Sequence, residues 1–170
     1  MVYVSPSVAV QSLAAGKVDA AWLFEPYDRI ARLTSDVQPI YEIGDVWPFP
    51  CMVPITSGEE WEINRDTITK VLDAQKESIE MLEKEPRKAA EYVAYRFIEG
   101  DSLETPYGRV DAVDVIEEAI KAQTFKWKVD DADIARMQEL SDIMVEQRSL
   151  EKPSDVTEIV DLSWQESIKG

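Results

Sequence analysis

The chain has 170 residues, long enough for one ordinary domain with a sizeable core, and 45% of them are hydrophobic, the content of a globular protein. It carries 34 acidic against 18 basic residues, a net charge of −16, so no basic stripe is available to bind the phosphates of a nucleic acid. It has no histidine and one cysteine, Cys51, which excludes Ser-His-Asp and Cys-His catalysis, most zinc sites, an internal disulfide and a C-x-x-C motif.

From the amino terminus, Ser5 and Pro6 form a helix opening, with a capping serine and a proline at the first helical position. That helix runs through Val8, Val10 and Leu13 to Gly16, a residue suited to the stop. Residues 18–24 then read as a strand, because a strand buried on both faces of a parallel sheet is a near-continuous apolar run. A helix led by Pro26 follows, with Ile30, Ala31 and Leu33 on its apolar side. Residues 40–43 read as a short strand, and Trp47-Pro48-Phe49-Pro50 as a stiff extended crossing. Residues 51–56 read as a further strand, in which Cys51 is a buried small residue rather than a nucleophile.

The remainder reads as mostly helical. Ser57-Gly58-Glu59-Glu60 fits a capping box before Trp61. Asn64 caps a long helix whose Ile68, Val71, Leu72, Gln75, Ile79 and Leu82 trace one face. Pro86 ends that helix or opens the next, which carries Ala89, Ala90, Val93 and Phe97, and 100–108 reads as a polar loop. Helices are expected near 111–123 and 131–147, and Pro153-Ser154-Asp155 opens a shorter segment ending at Ser167. Residues 1–57 hold 3 basic and 6 acidic residues and the rest 15 and 28, so the acidity belongs mainly to the helical part, as a solvated surface. No apolar run has the length of a transmembrane helix, and the amino terminus lacks the basic start and apolar core of a signal peptide.

Several of these stretches together resemble one family. The run from Pro6 to Ala20 is similar to a pattern of the form P-S-x-A-x-x-(A)-L-x-x-G-x-V-D-A. Glu25-Pro26 resembles its acidic-proline turn, and 48–55 its proline-rich crossing into a strand. Ser57 leading to Asn64-Arg65-Asp66, and Val71-Leu72-Asp73-Ala74 followed by Pro86-Arg87-Lys88-Ala89-Ala90, resemble its serine-led helix and proline–alanine break. The family is that of solute-binding proteins of ABC importers of the nitrate, sulfonate and taurine type. The resemblance implies an α/β, type II periplasmic-binding-protein-like fold, here truncated to the later half, helix-rich with a small, mostly parallel sheet. It divides the chain into 1–46, the end of the second lobe; 47–57, the interlobe crossing; and 58–170, the carboxyl-terminal helical part of the first lobe. It further implies an extracytoplasmic protein that binds a small-molecule ligand and delivers it to an ABC permease, with no enzymatic step and no cofactor. Missing early strands would leave an open sheet edge, from which a homodimer is expected.

In open α/β sheets ligands sit at the carboxyl ends of strands, which directs attention to Phe24, Glu25 and the turn after them, including Tyr27. Trp22 and Phe24 share one face of the expected strand and are read either as core or as an aromatic wall of the cleft; in the family an aromatic matches Phe24. Glu25 is either a helix-start carboxylate or a ligand contact, the latter favouring a ligand with an amine or hydroxyl over a bare anion. Asp19 is read mainly as a structural anchor at the strand margin. Trp47 and Phe49 form either a stacking platform or hinge packing. Two other functions compete: an enzyme resembling the thiamine-pyrimidine synthases, which depend on histidine and a cysteine-rich segment, and an acidic helical interaction domain without a ligand.

Overall fold

Helix α1, Pro6–Ala14, opens with Pro6 in its first turn, as the sequence requires. The Ser5 hydroxyl does not cap it and instead lies 3.2 Å from the Ser7 hydroxyl. Gly16 closes it at φ +62°, where the Gly16 N–H reaches the Leu13 carbonyl and the Lys17 N–H the Ser12 carbonyl. The structure is a computed structural model describing residues 3–50 and 52–168; Cys51, and with it the expectation that its side chain is buried, lies outside them. Two compact units make up the chain, Met1–Ile40 with Glu77–Phe125, and Tyr41–Lys76 with Lys126–Gly170.

In the first unit α2, Tyr27–Thr34, follows Pro26 and packs on α1. The end of α5, Arg65–Lys84, leads into α6, Pro86–Val93, and a single 3₁₀ turn, Ala94–Arg96. A hairpin of β1, Ser102–Thr105, and β2, Gly108–Asp111, then precedes α7, Ala112–Lys121. The core forms where Ala89 and Ala90 of α6, with Ala94 and Ile98, meet Ala112, Val115, Ile116 and Ile120 of α7. Alanines on one side let the two helices approach closely, so the branched side chains of the other fill the gap. Leu103 and Val110, opposite each other in the hairpin, close over this cluster. Asp111 ends β2 and caps α7, its Oδ1 accepting from the N–H groups of Val113 and Asp114. Outside the core, Arg87 bridges α6 to Asp114 and, at 3.0 Å, to Glu117 on α7.

The second unit holds a one-turn helix α3, Ile43–Val46, and α4, Gly58–Ile63, capped by the Ser57 hydroxyl, which accepts from Glu60 N–H at 3.1 Å. The first part of α5 follows, then α8, Asp131–Glu146, and the short α9, Val156–Ile159, and α10, Ser163–Ser167. Asp130 and Asp133 form a reciprocal capping box at the start of α8. The sequence-based boundaries at 46/47 and 57/58 both fall within this unit.

Most expected helices form, although α3 was not expected and α6 ends at Val93, short of Phe97, but the strands do not match. The protein is helix-rich with a small two-stranded antiparallel sheet, not a parallel one. Residues 18–24 form no strand: the chain bends at Lys17 and Asp19 and then runs on unpaired, with Trp22 71% and Phe24 60% exposed. Residues 40–43 are not a strand either, since Ile43 begins α3. Residues 52–56 carry apolar side chains into solvent with no partner strand. Strand propensity needs a second strand to satisfy the backbone, and none stands beside these runs among the described residues. The converse holds at 100–108, read as a polar loop, which contributes most of the hairpin. Its turn is Pro106-Tyr107, with Gly108 at φ +122° and the Thr105 hydroxyl donating to the Gly108 carbonyl at 2.7 Å.

Candidate functional site

Helix α2 carries two chemically different sides. Tyr27 and Ile30 lie on one, while Asp28, Arg29 and Arg32 lie on the other, as spacing of three and four residues dictates. Tyr27 and Ile30 line an open groove with Ser7, Val10 and Gln11 of α1 and with Phe97, enclosing about 220 Å³. The six include no aspartate, glutamate, lysine or arginine, so the groove combines apolar walls with the hydrogen-bonding groups of Ser7, Gln11 and Tyr27. The aromatic rings meet edge to face: Phe24 to Tyr27 at 5.7 Å and 88°, and Tyr27 to Phe97 at 6.1 Å and 79°.

Glu25 turns to the charged side. Its side chain is only 11% exposed, and its Oε1 lies 3.8 Å from Arg29 Nε and 3.5 Å from Arg32 Nη2. Arg32 also pairs with Asp28 at 2.6 Å. The other carboxylate oxygen, Oε2, is buried without a hydrogen-bond partner among the described residues, and so is Arg29 Nε. Burial pushes the Glu25 pKa up; Arg29 and Arg32 pull against it, and Asp28 adds to it.

The structure thus brings Phe24 and Tyr27 together and sets Glu25 beside them on the arginine side rather than in the groove. Trp22 and Asp19 stand exposed on the unpaired run. Trp47 and Phe49 belong to the other unit, where their rings stack at 5.0 Å and 20° and the Trp47 indole N–H donates to Glu139 at 2.8 Å. Sequence reasoning missed Ser7, Val10, Gln11, Ile30 and Phe97 as groove residues. The spacing of Ser7, Val10 and Gln11 marks one face of α1, but their juxtaposition with Phe97 comes from packing alone.

Among the described residues no group of three or more cysteine, aspartate or glutamate side chains is placed to hold a metal ion, and no helix is long and apolar enough to cross a membrane. Comparison with known protein families, curated proteins and solved structures gives no significant match.

Proposed function

We propose that this chain is the solute-binding component of an ABC importer for a small polar organic molecule of the sulfonate, taurine, nitrate-like or thiamine-precursor kind. In that role it belongs to a two-lobed, type II periplasmic-binding-protein architecture, of which the resemblance covers the later half. It works outside the cytoplasm, hands its ligand to an ABC permease, and closes around it without a chemical step. The observation that carries the reading is the groove beside Tyr27, because it adjoins the Glu25-Pro26 turn that the family resemblance marks. Its volume of about 220 Å³ lies under the range of ~300–1,000 Å³ that drug-sized ligands occupy, which fits a compact solute. An uncharged lining favours the organic part of such a solute and offers little to a bare inorganic anion.

Isothermal titration calorimetry of the protein against taurine, an alkanesulfonate, a hydroxymethylpyrimidine and nitrate tests this. Saturable binding of an organic member, weakened by about tenfold or more in Tyr27→Ala with the circular dichroism spectrum unchanged, is the expected result. Flat titrations across the organic members overturn the reading.

A further inference from the structure

Residues 20–24 alternate in exposure: Ala20, Trp22 and Phe24 are exposed, Ala21 and Leu23 half-buried. A period of two is the mark of an extended chain lying against a surface. Residues 18–23 nevertheless make no backbone hydrogen bond to another described residue. The run is bounded on one side by the bends at Lys17 and Asp19. On the other, the Phe24 carbonyl accepts from Tyr27 and Asp28 at 2.9 and 3.2 Å as the chain turns into α2. Residues 20–24 have strand periodicity, and 20–23 have open donors and acceptors, which makes a pairing edge of short strand length.

The run is complementary to itself. If two copies pair antiparallel with Trp22 opposite Trp22, each Ala20 stands opposite Phe24 of the second copy, and each Ala21 opposite Leu23. Every large side chain except the central indole then faces an alanine, which leaves room for the ring or the isobutyl group to lie across the strand pair. The two indoles meet at the axis as a cross-strand aromatic pair. Charge permits the approach as well. Ala20-Ala21-Trp22-Leu23-Phe24 has no ionisable group, and residues 1–40 hold 3 basic and 4 acidic residues in a chain of net charge −16. The paired residues themselves therefore add no charge repulsion to the contact.

We propose that residues 20–24 pair antiparallel with the same residues of a second copy, forming a dimer with its two-fold axis at Trp22. The contact is isologous, so the edge that it uses closes after two copies. It stands independently of the solute-binding reading, because it uses the outer side of the run and not the groove.

Sedimentation velocity of the full chain at micromolar concentration should show a dimer. Trp22→Glu places two carboxylates at the axis and should convert it to a monomer, and Ala20→Lys should weaken it through crowding against Phe24 of the second copy. Both positions are exposed, so circular dichroism should stay unchanged in each. Register is read by Trp22→Cys in a Cys51→Ser background, which should cross-link rapidly between copies under mild oxidation, whereas Val8→Cys in the same background should not. A wild-type monomer, a dimer indifferent to Trp22→Glu, an open-ended series of oligomers, or equal cross-linking at both positions each overturns the proposal.

Discussion

In the unit Met1–Ile40 with Glu77–Phe125, Ala89, Ala90, Ala94, Ile98, Ala112, Val115, Ile116 and Ile120 are withdrawn from water into one cluster. In the unit Tyr41–Lys76 with Lys126–Gly170, the fully buried residues among those described are Val156, Asp133 and Ser141, two of them polar. Each unit contains a helix with apolar residues recurring every three or four positions, more sharply segregated to one face on α7 than on α8. On α7 the apolar positions 112, 115, 116, 119 and 120 are all buried. On α8 the corresponding residues Ile134, Met137, Leu140 and Met144 remain half-buried. The difference lies in what each helix meets. α7 meets the alanines of α6, whereas α8 packs on the four-residue α9.

Directed polar contacts take over in the second unit. The Gln165 amide both accepts from the Val129 N–H at 2.9 Å and donates to its carbonyl at 2.8 Å. Gln138 accepts from Val156 N–H, and the Ser141 hydroxyl accepts from Ser154 N–H. Lys126 reaches Asp133 at 2.5 Å and Asp130 at 2.9 Å. Trp127 meets Trp164 edge on, with Lys76 and Lys128 each about 5 Å from its ring centre, and the Trp164 indole donates to Asp73. Such contacts are specific but individually modest, because water competes for every group involved. A small domain held this way should yield in smaller steps than one held by a dry cluster.

The sharpest way to break the comparison is a large-to-small change in the cluster. Ile116→Ala should cost about 2–5 kcal/mol, since Ile116 is nearly inaccessible and its removal leaves a cavity. Urea unfolding followed by circular dichroism measures it; a loss comparable with that of a surface substitution would show that the cluster is not what holds the unit. Gln165→Ala in the other unit should cost less, about 1–2 kcal/mol, by leaving both polar groups of Val129 unmatched. If it costs as much as Ile116→Ala, the distinction between the units disappears.

Acidity should act with opposite sign on Glu25 of the first unit and on three carboxylates of the second. Hydrogen bonds hold three carboxylates of the second unit below the ordinary aspartate value of 3.8: Asp130 through Lys126, Asp155 through Thr157 and Asp161 through Ser163. A depressed carboxylate stabilises the fold above its unfolded pKa and loses that contribution as pH falls through the folded one. The second unit should therefore weaken as pH falls below 3.8. In the first unit Glu25 is raised above 4.5, chiefly by burial. The folded state then holds its proton more tightly than the unfolded chain, so stability declines as pH rises from 4.5 through the raised value. Glu25→Gln removes that decline and should be the more stable form at neutral pH, with little difference in acid. Thermal melts of both proteins across pH give the answer; destabilisation by Gln at neutral pH would mean that Arg29 and Arg32 outweigh burial. Glu117 in the first unit is also held low, through Lys121 and Arg87, so the two forms should be compared at each pH rather than the wild type alone.

The smallest effect is expected at Arg109→Ala. Arg109 faces Glu104 across the hairpin at 2.6 Å, but both side chains are more than 70% exposed. Water screens such a pair, and the melting temperature should not shift measurably.

Tyr27 was named a candidate through its place after the expected strand at 18–24, which does not form; its place in the groove comes from the packing of α1, α2 and Phe97. Trp47 and Phe49 were read as a stacking platform or as hinge packing, and their stacking on each other is a finding of the structure. Phe97 was read only as part of a helix face, since nothing in its neighbourhood announces that α1 and α2 will lie against it. Glu25 was legible as a helix-start carboxylate, but its arginine neighbours and the burial of Oε2 come from the fold.

What the sequence by itself determined is where several helices begin or end: Pro6 and Gly16 around α1, Pro26 before α2, Ser57 before α4, Pro86 at α6 and Pro153 ahead of the last turns. These signals act on the few N–H and C=O groups of the adjacent turn, so a window of several residues contains the whole cause. What only the tertiary structure decided is which extended runs become strands. Residues 18–24 and 52–56 have the apolar composition and no partner strand among the described residues, whereas 102–105 and 108–111 have a mixed composition and pair with each other. A strand's hydrogen bonds are made to another segment of chain, so its existence is settled by what the fold places beside it.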